Sequence, residues 1–215
     1  ASREMAYPLG YKGTHANIPV FLSAIRRVMG KRLRGAKVLE LGCTDMNSQS
    51  ATLLENLVKL GADAYGLDQR RPSDTLQDFS GRVNFSQGQV QELANHFQGM
   101  KFKAIVSALL LEKSIESHSY EIHPQWNTPE FNESIMAGIK GKLEKGGHLI
   151  FQTLTDPLYD NAALAKHGFR VIGYVKAAES GITATAGRKG NMAAQRKPPK
   201  FSSGESYIVI AKKVA

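Results

Sequence analysis

The chain has 215 residues, 42% hydrophobic and 22% charged, the proportions of an ordinary globular protein within the size range of one α/β domain. Its one cysteine, Cys43, excludes an internal disulfide framework and a cysteine-built zinc site, and its longest apolar run, Ala104 to Leu111 around Ser107, is far short of the roughly 20 residues that cross a bilayer. The formal charge of +9 is concentrated in Arg26 to Lys37, with no acid before Glu40, and in Arg188 to Lys200, with no acid between Gly181 and Gly204; such runs suit nucleic acid, cofactor phosphates or acidic substrates, or form a solvated surface.

Apolar residues at Val20, Phe21, Ala24, Ile25 and Val28 predict an amphipathic helix over Ile18 to Met29, with Pro19 in its first turn. Lys37 to Leu41 is a predicted buried strand. Ser48 to Leu60 is a predicted helix, capped by Ser48, buried through Leu53, Leu54, Leu57, Val58 and Leu60, and ended by Gly61. Ala64 to Leu67 and Val83 to Phe85 are predicted as strands and Gln89 to Phe97 as a helix. Phe102 to Ala108 is a strand whose continuous apolar run suits burial on both faces. A helix over Pro129 to Leu143 stops at Gly146-Gly147, before a strand over His148 to Thr153. Asn161 to Lys166 is a short helix, and Phe169 to Lys176 and Tyr207 to Lys212 are the last strands.

This alternation predicts an α/β fold: a doubly wound, mostly parallel seven-stranded sheet with helices on both faces and no second domain. Between Val175 and Ser206 only Gly, Ala, Ser, Pro and basic residues predominate, so the last strand is expected to pair antiparallel across a flexible basic loop at 181–204. Residues 1–35 form an N-terminal arm and helix, with Tyr7 and Tyr11 in a candidate lid, and 36–215 the main domain. With no signal-like apolar region, the expected location is cytoplasmic, without membrane contact.

The most informative segment is Ala36-Lys-Val-Leu-Glu-Leu-Gly-Cys43, followed after a helix by Ala64-Tyr-Gly-Leu-Asp68. A strand running into an acid and a glycine, then a helix, then a strand ending in a carboxylate, is how α/β domains build a nucleoside pocket at the carboxyl edge of the sheet. Glycine at 42 allows close backbone approach, Glu40 can hydrogen-bond a ligand at the strand end, and Asp68, ionised and acceptor-only, can receive both protons of a ribose diol. Asp68 also reads as a turn residue ahead of Arg70, Arg71 and Pro72.

With Phe102-Lys-Ala-Ile-Val-Ser107 as a fourth strand and Leu143-Glu-Lys-Gly-Gly-His-Leu-Ile150 as the turn into a fifth, the chain resembles the class I S-adenosylmethionine-dependent methyltransferases, in order and spacing, from about Ala36 to Lys213. The resemblance implies S-adenosyl-L-methionine as cofactor and a cofactor site drawn from Glu40, Gly42, Cys43, Thr44, Asp45, Asn47, Asp68, Gln69, Gln89 and Ser107. In it, Gln89 or Gly88 would border the adenine, and Ser107 with Ala108 the methionine part. The chain departs from the family pattern where two further glycines are usual: Thr44 and Met46 stand there, inside a polar loop that includes Asp45, Asn47, Ser48, Gln49 and Ser50. The expectation is therefore that Thr44, Asp45 or Asn47 contacts the amino-acid end of the cofactor.

On the acceptor side, Leu111 to Thr128 holds Glu112, Glu116, His118, Tyr120, Glu121, His123, Gln125 and Trp126, on the connection leaving the carboxyl end of the fourth strand. His118 and His123 are candidate bases for an acceptor hydroxyl, and Tyr120 a candidate wall or catalytic group; the same residues also read as surface. No Asn-Pro-Pro-Tyr follows the strand, no carboxylate closes it for a metal-assisted site, and the Gly-x-Gly-x-x-Gly of a nicotinamide dehydrogenase is missing. The functional expectation is methyl transfer to a small-molecule acceptor. The alternatives are a catalytically silent binding or scaffolding protein of the same fold, and an RNA methyltransferase that docks through the basic segments.

Overall fold

In a computed structural model that describes residues 18–43, 51–69, 83–108, 110–111, 125–153, 156–179, 196–200 and 205–215, seven strands join in one sheet. They are β1 (Lys37–Leu41), β2 (Asp63–Asp68), β3 (Val83–Gln87), β4 (Phe102–Ala108), β5 (Leu143–Thr153), β6 (Phe169–Glu179) and β7 (Glu205–Lys213). Their order is β3-β2-β1-β4-β5-β7-β6. The first five pair in parallel, and β7 runs antiparallel between β5 and β6. The helices are α1 (Ile18–Met29), α2 (Ala51–Lys59), α3 (Pro129–Lys142) and α4 (Asn161–Lys166), with 3-10 turns over Gly30–Leu33 and Val90–Asn95. The expected doubly wound sheet with an antiparallel last strand is thus present.

Central strands are apolar on both faces because each face is covered by helices. Successive residues alternate between two cores. Val38, Ala104, Val106, Ile150 and Ile208 meet Phe21, Ile25 and Met29 of α1 and Leu53, Leu54 and Leu57 of α2. Leu39, Leu41, Ile105, Leu149, Phe151 and Val209 meet Phe131, Ile135 and Ile139 of α3, Leu164 of α4, and Val90 and Leu93 of the second 3-10 turn. Fully burying each such side chain is worth about 1.5–3 kcal/mol, so the two cores hold the sheet flat against its helices and fix where each strand ends.

Capping chemistry sets the helix boundaries. Gly61 closes α2 at φ +84°, with Gly61 N–H donating to Val58 O at 2.8 Å and Ala62 N–H to Leu57 O at 3.0 Å, the paired bonds of a glycine C-cap. Thr128 starts α3: its hydroxyl accepts from Phe131 N–H at 3.3 Å, and Pro129 occupies the first turn.

Two elements differ from the sequence reading. The segment read as a helix over Gln89 to Phe97 is a 3-10 turn over Val90–Asn95, because Val90 and Leu93, three apart, are its buried pair and Phe97 adopts φ +51°. β5 begins at Leu143 rather than His148; its partners on β4 jump from Phe102↔Leu143 to Ala104↔His148. Gly146, at φ +76°, lets the strand bulge where a turn was expected to separate helix from strand. No helix among the described residues is long and apolar enough to cross a membrane. The candidate lid over residues 1–17, the loop at 44–50, the segment 112–124 and most of the loop at 181–204 lie outside the described residues.

Candidate functional site

The parallel strands carry their carboxyl ends to one edge, and register brings the predicted acids together there. Glu40 on β1 lies opposite Gly66 on β2, Leu41 opposite Ser107 on β4, and Asp68 at the end of β2 opposite Gln87 on β3. At the end of β1 the chain turns at Gly42, φ +69°, whose N–H donates to Leu67 O at 2.9 Å. A Cβ at position 42 would lie 3.1 Å from Leu110 Cδ2. The positive φ favours glycine here, and the Leu110 side chain packs close above it.

The turn folds back over β2. Cys43 is fully buried, and its Sγ occupies the space above Gly66, 2.6 Å from where a Cβ would stand. Burial pushes the Cys43 thiol up, and the neighbouring carboxylates of Glu40 and Asp68 push it further. The thiol is therefore protonated at neutral pH and a poor nucleophile; both acids lie on its face of the sheet, Glu40 opposite Gly66 and Asp68 two places further along β2. Both are buried residues, Glu40 with no exposed surface and Asp68 with 8%.

Asp68 O accepts from Gly88 N–H at 2.8 Å, joining the ends of β2 and β3. The Gln87 carboxamide donates to Gln69 O at 3.0 Å across the same gap. Gln89 caps the 3-10 turn: its side chain accepts from the backbone N–H of Glu92, its own N–H donates to the Glu92 carboxylate at 3.4 Å, and the Gln91 amide donates to its carboxamide oxygen. Ser107, fully buried, donates from Oγ to Leu41 O at 3.2 Å and ties β4 to β1 beneath the turn. Glu40, Gly42, Cys43, Asp68, Gln69, Gln89 and Ser107 thus gather along one edge over β1, β2, β3 and β4. Thr44, Asp45, Asn47, His118, Tyr120 and His123 lie outside the described residues.

One neighbour escaped the sequence reading. His96 leans over Gly88, its Nε2 2.1 Å from where a Cβ there would lie, while Nδ1 shares a hydrogen bond with Ser86 Oγ at 2.7 Å. No spacing rule links residues 88 and 96; the 3-10 turn creates the contact. Gly88→Ala must displace the imidazole and break its bond to Ser86. We expect a loss of about 1–3 kcal/mol of stability, measured by urea denaturation, and most of that loss should vanish in Gly88→Ala/His96→Ala. An undiminished penalty in the double variant would contradict the contact.

A cavity of about 280 Å³ lies on the other half of the sheet, lined by residues of the β5–α4 connection, α4, Tyr174 on β6, Val209 on β7 and Pro198. There Tyr174 Oη donates to Asn161 Oδ1 at 2.5 Å. With β5 and β7 between β4 and β6, it stands apart from the carboxylate cluster.

No family model matches the sequence, and no curated protein matches it. Solved structures do. N-methyltransferase NodS from Bradyrhizobium japonicum WM9 superposes with a TM-score of 0.58 over 93% of this chain and 97% of its own, at 11% identity. The Burkholderia thailandensis 1,6-didemethyltoxoflavin-N1-methyltransferase, with bound 1,6-didemethyltoxoflavin and S-adenosylhomocysteine, gives 0.58 over 94% and 80%, at 13% identity. A TehB-like SAM-dependent methyltransferase from Corynebacterium glutamicum gives 0.56 over 92% and 88%, at 14% identity. The chain has the class I methyltransferase fold. At these identities the likeness concerns the backbone, and the chemistry has to be argued from this chain's own residues.

Proposed function

We propose that this protein binds S-adenosyl-L-methionine at the carboxyl edge of β1, β2 and β3 and transfers its methyl group to a small-molecule acceptor. The observation that carries the reading is that Glu40, opposite Gly66, and Asp68, two places further along β2, lie on one face of the sheet beside the Gly42 turn. An acceptor-only carboxylate at a strand end fits a vicinal diol, which needs two acceptors and no donor. The hydrogen bond from Gly88 N–H to Asp68 O, which joins the ends of β2 and β3, supports assigning the adenine to Gly88 and Gln89 beside a ribose on Asp68. Thr44, Asp45 and Asn47, on the connection after Cys43, are assigned to the amino-acid end of the cofactor.

When bound, the cofactor supplies an electrophilic methyl on a sulfonium, so the protein's work is alignment and exclusion of water. The buried thiol and Leu110 give the turn an apolar floor. His118 and His123 are assigned to taking a proton from the acceptor, and Tyr120 to walling it; residues 1–17 are assigned to closing over the site. The test is incubation of the purified chain with methyl-labelled S-adenosylmethionine and a fractionated small-molecule extract. Label transferred into a product, with release of S-adenosylhomocysteine, supports the assignment.

A second reading, a silent binding protein, is favoured by Thr44 and Met46 at places where the family carries glycine. It predicts no rise in melting temperature on adding S-adenosylmethionine and no transfer to any acceptor fraction.

A further inference from the structure

The opposite edge of the sheet has a composition of its own. There the parallel strands begin and antiparallel β7 ends, and five of the seven strands deliver a cation: Lys37 opens β1, Lys103 lies at the start of β4, Lys145 at the start of β5, Arg170 at the start of β6, and Lys212 at the end of β7, beside two acids, Asp63 opposite Lys37 and Glu144 on β5. Register sets them in two pairs along this edge: Arg170 faces Lys212 in line with His148, Ala104 and Val38, and Lys37 and Lys103 sit side by side one place earlier, on the other face of the sheet. Lys37, Lys103, Lys145 and Arg170 are exposed, and none of the row forms an ion pair with an acid among the described residues.

A second group of lysines stands behind this row with a structural duty. Lys213 Nζ donates to Lys140 O at 2.8 Å and Leu143 O at 2.9 Å, Lys101 donates to Gly141 O, and Lys142 Nζ donates to Phe97 O at 2.9 Å. The ammonium groups of Lys101 and Lys213 cap the carbonyl end of α3, and that of Lys142 ties α3 to the segment after the second 3-10 turn. Burial, together with the neighbouring lysines, lowers the pKa values of Lys142 and Lys213, a sign of how densely positive charge is crowded at this pole. The capping duty accounts for the second group and leaves the exposed row unexplained.

We propose that this amino-terminal edge is a docking surface for the phosphate backbone of a nucleic acid. From β1 to β6 the sheet makes four inter-strand steps of about 4.8 Å, so the row is roughly 19 Å long, the length over which B-form DNA presents about eleven phosphate charges. No aromatic side chain stands in the row, so the contact reads charge and not bases. A membrane surface fits less well: Ile172 and Val214 are the large exposed hydrophobic residues among those described, too little for an apolar anchor. β4 has seven residues, which places this edge about 23 Å from the carboxylate cluster. The nucleic acid here is an anchor, and the methyl acceptor is a different molecule; the inference stands whether or not the chain transfers methyl groups.

The test is fluorescence anisotropy of the full chain with a labelled 20-nucleotide RNA and a 20-base-pair DNA duplex between 50 and 300 mM NaCl. We expect log-log salt slopes of about −3 to −5, four to six phosphates neutralised with about 0.7–0.9 counterions released for each. A variant carrying Lys37→Gln, Lys103→Gln, Lys145→Gln and Arg170→Gln should bind at least about 10-fold more weakly at 100 mM, with a slope shallower by about 2 or more. Its melting curve should be retained. A control variant with the same charge loss at Arg26, Lys176, Lys197 and Lys200 should bind within about 2-fold of the parent. Equal losses in both variants, no binding at 50 mM salt, or tighter binding to phosphatidylserine vesicles through the same four residues would each overturn the assignment.

Discussion

Asp68→Ala is expected to weaken binding of S-adenosylhomocysteine by about 100-fold or more, measured by isothermal titration calorimetry. Asp68 ends β2 as a buried residue, 8% exposed, and the role proposed for its carboxylate is to accept two hydrogen bonds from one ribose. Each charge-assisted bond is worth about 1.5–3 kcal/mol, and 1.4 kcal/mol is a tenfold change in affinity. Asp68→Asn keeps one acceptor oxygen and loses the charge, so it should fall between wild type and alanine. The fold should survive both, since the backbone bond from Gly88 N–H to Asp68 O does not depend on the side chain. Binding unchanged in Asp68→Ala, with a normal melting curve, would remove the ribose from this position.

The second large effect concerns stability in acid. His148 sits on β5 opposite Lys212, with 7% of its surface exposed. Burial first, then the positive charges of Lys212 and Arg32, push its imidazole down to about 4. The unfolded chain binds a proton near pH 6.5, so the folded value is the lower one. Above about pH 6.5 both states are neutral and the group contributes no pH dependence. As pH falls from 6.5 towards 4, the unfolded state gains a proton that the folded state refuses, and stability drops. The expected loss from this group is about 2–3 kcal/mol between pH 7.5 and pH 4.5. Urea denaturation at the two pH values should show that His148→Gln loses less stability than wild type by that amount. An equal loss in both would mean that the imidazole titrates normally.

Much of this architecture was legible because buried parallel strands must be apolar on both faces. Lys37–Leu41 and Phe102–Ala108 match the strands read from the sequence, since the runs Val38-Leu39 and Ala104-Ile105-Val106 leave no polar face that a surface helix could present to water. The start of β5 was less legible. Gly146-Gly147 reads as a stop, yet a glycine at φ +76° also permits a bulge, and only the neighbouring strand decides between them. The 3-10 turn over Val90–Asn95 was taken for a longer helix because Val90 and Leu93, three apart, satisfy both periods.

The candidate site divides in the same way. Glu40, Gly42 and Asp68 were readable because each sits at the end of a strand, where the fold dictates which way the chain faces. Leu110 above Gly42, Cys43 above Gly66, and His96 above Gly88 are contacts between distant segments with no periodicity to announce them. They also explain why those positions hold glycine: at each, the protein's own side chains fill the space that a Cβ would need.

The most direct test of the account is a titration of the ¹⁵N-labelled protein with S-adenosylhomocysteine, followed by amide chemical shifts. The account predicts saturable shifts centred on Gly42, Cys43, Asp68, Gln69, Gly88 and Gln89, with those around Tyr174 and Asn161 unmoved. Saturable shifts confined to the Tyr174–Asn161 cavity, or a spectrum unchanged at millimolar ligand, would contradict it.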